Sequence, residues 1–174
     1  MGYRVLLIKI DGKPAERIHQ EYGVTLTEED EEIPESPVTG ASLPGGGYLL
    51  FINDQIQPDE RVFEELSQKA SLVACYVNET DNNSYACGWM SGVRQWSVFH
   101  DEARQGRNHL AIAGELPPEF EQIRANLAVQ QERDVADFIF NIPVDLFVAL
   151  GGIRYFEDIE GAGPRPWQVL ARVP

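Results

Sequence analysis

Residues 71–100 read SLVACYVNETDNNSYACGWMSGVRQWSVFH, and this stretch decides the fold. Leu72, Ala74 and Tyr76 alternate with Val73, Cys75 and Val77 along a strand. Asn82-Asn83 and Ser91-Gly92 then supply the turn chemistry of hairpins, because Asn and Gly tolerate the positive φ that tight connections require. Trp89, Trp96, Val98 and Phe99 add bulk on the returning strands. The spacing predicts an antiparallel meander with strands near 71–79, 85–90, 93–100 and 109–115.

Outward from the meander, the same periodicities assign the remaining elements. Residues 3–10 form a continuous β-branched and Leu-rich run, the pattern of a strand buried on both faces, and Asp11-Gly12 ends it. Tyr48 to Ile52 is a second such strand. Pro58-Asp59-Glu60 opens a helix with Val62, Phe63, Leu66 and Ala70 on one face. Pro117-Pro118-Glu119 opens another, with Phe120, Ile123 and Leu127 facing the core. Asp134 to Ile142 reads as a strand, Pro143-Val144-Asp145 as the start of a short helix ended by Gly151-Gly152, and Trp167 to Val173 as a last strand with Trp167, Val169, Ala171 and Val173 on one side. The expected fold is α+β, a mainly antiparallel sheet of five to seven strands with two longer helices packed on it. A length of 174 residues suits a single domain over 1–174, with a long acidic loop excursion at about 13–47 that holds at most a short strand at 23–27.

Charge is the second strong signal. The chain carries 28 Asp and Glu against 14 Lys and Arg, a net charge of −14, and residues 1–66 alone account for −9. Glu28, Glu29, Asp30, Glu31, Glu32 and Glu35 crowd into one short run. With 43% hydrophobic residues the chain can still bury a core, so the charge does not signal disorder. It argues against nucleic acid, whose phosphates need Lys and Arg, and against an anionic membrane surface. A basic protein partner is the complementary kind, and the six acids are the expected partner-binding residues. Val5 to Ile8 is too short for a signal-peptide core and no membrane-length apolar run occurs, so the expected location is cytoplasmic.

Catalytic signatures are weak. His100, Asp101 and His109 flank one loop and could form an acid–base pair in a small hydrolase or ligand-binding enzyme, but a structural zinc site wants four ligands at tight spacing. Gly45-Gly46-Gly47 precedes a strand rather than the helix a phosphate cradle needs. Asp81 to Ser84 starts like a calcium loop, yet the sixth position is Ala86 and the twelfth Gly92. No Gly-x-Ser-x-Gly elbow is present. No catalytic residue, metal site or cofactor is therefore expected. Cys75 and Cys87 fall opposite or one step apart in the hairpin; a cross-strand disulfide is open to them, and two buried thiols are the expectation in a reducing compartment.

A broader pattern runs through Trp96-Ser97-Val98-Phe99-His100-Asp101, His109-Leu110 to Gly114, Leu116-Pro117-Pro118-Glu119-Phe120, Phe140-Asn141-Ile142-Pro143 and Leu150-Gly151-Gly152-Ile153-Arg154-Tyr155. In a small acidic domain, this organisation resembles the stand-alone immunity proteins of bacterial secreted-toxin systems, of the type VI or contact-dependent kind, over about residues 70–155. The resemblance carries no catalytic residues over. It implies an inhibitor that binds a cognate toxin, often with acids covering a basic active-site cleft. A regulatory or scaffold domain that binds another basic partner fits the same charge. Affinity would need apolar anchors near the acids, and Tyr22, Ile33, Tyr48 and Tyr85 are the candidates.

Overall fold

The computed structural model describes residues 2–55 and 58–174. The elements are β1 (Arg4–Asp11), α1 (Ala15–Tyr22), β2 (Val24–Glu31), β3 (Val38–Ser42), β4 (Tyr48–Asn53), α2 (Glu60–Leu66), β5 (Ser71–Asn78), β6 (Asn83–Met90), β7 (Val93–Asp101), α3 (Glu102–Gln105), β8 (Ala111–Gly114), α4 (Glu119–Arg133), α5 (Asn141–Ala149) and β9 (Trp167–Arg172). The nine strands among the described residues form one sheet in the order β2-β9-β3-β4-β1-β5-β6-β7-β8. Every neighbouring pair is antiparallel. The α+β class holds, but nine strands exceed the expected five to seven, and the additional ones come from the segment read as a loop.

The central strand explains the layering. Along β1, Leu6, Ile8 and Ile10 pack with Ile18 of α1 and with Phe63 and Leu66 of α2. Val5 and Leu7 point the other way, onto Val144 and Phe147 of α5. Helices on both faces are what a continuous apolar strand requires. Further along the sheet, Ala86, Trp96 and Val98 meet Phe120 and Leu127 of α4 and Ile142 and Leu146 of α5. Helix α5 is thus shared by two clusters and buries nearly its whole circumference, with Ile142, Val144, Leu146 and Phe147 all inaccessible. Of the two helices expected to be long, α4 spans 15 residues and α2 only 7.

Three expectations are corrected. Residues 13–47 are not an extended loop: they hold α1, β2 and β3. Gly23 ends α1 in the left-handed region at φ 73° and turns the chain directly into β2. Residues 134–140 are not a strand. The apolar run Phe138-Ile139-Phe140 forms a turn, with Asn141 N–H bonded to the Phe138 carbonyl at 3.0 Å and Ile142 N–H to that of Ile139 at 3.0 Å, and the chain enters α5 before Pro143. Pro143 is tolerated because its missing N–H falls in the first helical turn. Side chains hold this turn in place. Buried Gln131 accepts the Phe138 N–H at 2.6 Å, and Arg107 donates to the carbonyls of Gln131 and Ala136 at 3.0 and 2.7 Å. The third correction concerns β9, where Trp167 and Leu170 are the buried residues rather than an alternating series from Trp167 to Val173. β9 lies between β2 and β3, so one residue is drawn to each face.

No helix among the described residues is long and apolar enough to cross a membrane.

Candidate functional site

The acidic run lies on the edge of the sheet. Only Val24 of β2 is fully buried, because the strand pairs with β9 alone and leaves its second edge open. The register shifts between Leu26 and Asp30, where the Thr27 hydroxyl donates to the Val169 carbonyl at 3.0 Å and accepts the Glu29 N–H at 3.1 Å. The six acids are then used differently. Asp30 pairs with Arg165, whose guanidinium the carboxylate holds above its ordinary pKa, first through the hydrogen bond and then through its charge. Glu31 folds back to accept the N–H groups of Glu35 and Ser36 at 2.9 and 3.1 Å and the Ser36 hydroxyl, closing the turn after the strand. Glu28, Glu29, Glu32 and Glu35 are exposed, and their side chains have no hydrogen bond or ion pair among the described residues. Leu26 and Ile33, at 47% and 58% exposure, are apolar neighbours of these four carboxylates. Of the other expected anchors, Tyr48 is buried with its hydroxyl 2.7 Å from His19 Nε2, and Tyr22 lies under the Arg172 guanidinium at 4.5 Å. Tyr85 stands on β6, far across the sheet.

His100 and His109 come close, with ring centroids 6.2 Å apart. Yet His100 is fully buried and both ring nitrogens are engaged: Nδ1 is 2.6 Å from the His109 carbonyl oxygen and Nε2 is 2.7 Å from Asp137 Oδ2. His109 Nδ1 in turn accepts the Asp101 N–H at 3.0 Å. Asp101 and His100 are consecutive on a strand, so their side chains leave opposite faces. The trio suggested by sequence does not converge, and His100 is a packed polar link rather than an accessible base. Among the described residues no group of His, Cys, Asp and Glu is arranged to hold a metal ion.

Cys75 and Cys87 are also separated by the sheet. Cys75 pairs with Ala86 and Cys87 with Ala74, so the two thiols are one register step apart and enter different cores. Burial pushes the Cys75 thiol up well beyond its ordinary pKa, and burial likewise pushes Cys87 up to about 12.

The structure adds a cleft that the sequence did not announce. On the α2 face of the sheet, Tyr76 of β5 is directly opposite Tyr85 of β6, which is directly opposite Phe99 of β7. Two residues on, Asn78, Asn83 and Asp101 form a parallel polar row. These rows floor a cleft of about 480 Å³, bounded by Pro58 and Glu60 at one side and by Asp81 and Arg104 at the other. Glu60 is paired with Arg94 at 2.5 Å, and Asn78 donates to Asp81 at 2.9 Å. The Tyr85 hydroxyl is buried beside the Cys87 thiol and the Arg94 guanidinium without a hydrogen bond of normal geometry to either. Burial holds the phenol protonated well above its ordinary range, so it remains both donor and acceptor. The signal that could have found this row was the turn: pairing Asn78 with Asn83 fixes Tyr76 against Tyr85.

Comparison with protein-family models, with curated proteins and with solved structures finds no match to this chain.

Proposed function

We propose that the chain is a non-enzymatic protein-binding module that engages a basic partner along β2, and that it acts as an immunity-type inhibitor of a cognate bacterial toxin. The observation that carries this reading is the open edge of β2 and the turn after it, where Glu28, Glu29, Glu32 and Glu35 make no hydrogen bond or ion pair among the described residues and Leu26 and Ile33 are exposed. Asp30 and Glu31 are committed to Arg165 and to the following turn, so they hold the edge in one shape while Glu28, Glu29, Glu32 and Glu35 face outward. Such a field raises the encounter rate with a cationic protein by ~10–10³ at low salt. The unpaired backbone of the edge strand offers main-chain hydrogen bonds to an added segment, and the two apolar side chains supply desolvated contact. Charges on an edge strand also oppose self-association, which keeps the surface available to a partner of opposite charge.

Co-expression with the product of an adjacent toxin or secretion gene tests the proposal. The expected result is a stoichiometric complex that survives purification at low salt and protects the host cell. Failure of the two proteins to associate, or protection without association, contradicts it. A regulatory domain with a different basic partner would use the same edge and would bind that partner instead of the neighbouring gene's product.

A further inference from the structure

We propose that the cleft over β5, β6 and β7 is a binding site for an organic cation, a guanidinium or alkylammonium group seated over the Tyr76–Tyr85–Phe99 row and against the Asp101 carboxylate. The site is distinct from the acidic edge and stands whether or not β2 binds a protein.

Its floor is a cross-strand ladder of rings, which offers the negative π-faces that attract a desolvated cation. The Tyr85 and Phe99 rings are 6.3 Å apart at 67°, so they present differently tilted surfaces rather than a sealed stack. Asp101 lies two residues beyond Phe99 on the same face and is 5% exposed. Its Oδ1 accepts the Arg104 backbone N–H at 3.2 Å, and no hydrogen-bond partner for Oδ2 occurs among the described residues. A carboxylate this buried gains from a cation that approaches from the one open side. The buried Tyr85 hydroxyl, unpaired at normal geometry, can accept a hydrogen bond from the same ligand. Of the two arginines at the cleft, Arg94 is neutralised by Glu60. Arg104 is exposed at the rim. With Glu60, Asp81 and Asp101 against Arg94 and Arg104, the cleft is net negative within a chain of net charge −14. A volume of about 480 Å³ accommodates the alkyl stem as well as the charged head.

The test is calorimetric and NMR titration of the full chain with two probes, N-acetyl-arginine amide and spermidine. Saturable binding at millimolar or lower concentration, with shifts in the Tyr76, Tyr85 and Phe99 ring signals, is expected. Tighter binding of the blocked arginine assigns the natural cation to a protein side chain, and tighter binding of spermidine to a free polyamine. Asp101→Asn keeps a good N-cap for α3 while removing the charge, and should weaken binding about tenfold or more. Arg104→Ala should leave binding unchanged or tighten it. Tyr85→Phe, which retains the ring, should weaken it more modestly. Three results would overturn the proposal: no saturable binding of either probe, weaker binding by Arg104→Ala with none lost by Asp101→Asn, or binding abolished only when Glu28, Glu29, Glu32 and Glu35 are changed to Gln.

Discussion

Nε2 of His100 lies 2.7 Å from Oδ2 of Asp137, and this contact joins the end of β7 to the turn that leads into α5. The same Asp137 oxygen accepts the Asn82 amide at 2.9 Å, and Asp137 Oδ1 accepts the Phe140 N–H at 3.3 Å. On the other side, Nδ1 of His100 donates to the His109 carbonyl. Oxygen atoms therefore face both ring nitrogens of this buried side chain. Replacing Asp137 by Ala removes the acceptor shared by the buried His100 ring, the Asn82 amide and the Phe140 N–H, so a loss of about 1–3 kcal/mol in urea unfolding is expected. The chain should stay folded but lose protection from hydrogen exchange over residues 134–140.

A second histidine gives the pH dependence. His19 is buried against Tyr48, and desolvation lowers its pKa below 6.5, only partly offset by the Glu16 charge. The unfolded chain therefore binds this proton more readily than the native chain, and the contribution of His19 is complete above pH 6.5. Stability should fall as the pH drops from there through the lowered native pKa. His19→Gln keeps a polar partner for Tyr48 and should flatten that part of the profile in thermal melts from pH 8 to pH 5, read as a smaller slope.

The hydroxyl of Tyr48 also makes Gly40 a steric requirement. A Cβ at position 40 would meet that hydroxyl and its ring carbon far inside van der Waals contact. Gly40→Ala should destabilise the protein by about 1–3 kcal/mol, the usual range for overpacking a core. Tyr48→Phe removes the nearest atom, so the double variant should lose less than the sum of the two single ones, a coupling that a double-mutant cycle measures.

Cys75 and Cys87 should resist both oxidation and alkylation. They enter cores on opposite faces of the sheet, and burial disfavours both thiolates, the reactive form. Mass spectrometry of the air-exposed native protein should show two free thiols. Both should be modified by iodoacetamide only at the rate of global unfolding.

What was legible in the sequence follows from burial. β1 was readable because its apolar run is covered on both faces, and the β5–β7 meander because its turns carry Asn and Gly. The turn residues Asn82 and Ser91 do take positive φ, at 47° and 49°. β2 was not readable beyond Thr27. An edge strand with two solvated faces has no alternation to detect, and its acids look like those of a loop. Phe138-Ile139-Phe140 misled for the opposite reason: its side chains are needed under the sheet, while its backbone turns to start α5. The acid run was found as a cluster, but its division into two structural and four outward carboxylates depends on Arg165, which only the fold brings near, and on the local turn in which Ser36 closes onto Glu31. The aromatic row of the cleft needed the strand register, a long-range property.

The central claim, that the outward carboxylates on and just after β2 recruit a basic protein, is tested most directly by the association rate of the chain with the neighbouring gene's product across a salt series. The measurement compares the native chain with a variant carrying Gln at 28, 29, 32 and 35, which leaves Asp30–Arg165 and the Glu31 turn intact. The expected rate is about tenfold or more slower for the variant at low salt, with the two rates converging as added salt screens the edge. Equal rates at low salt, or a difference that persists unchanged at high salt, would contradict it.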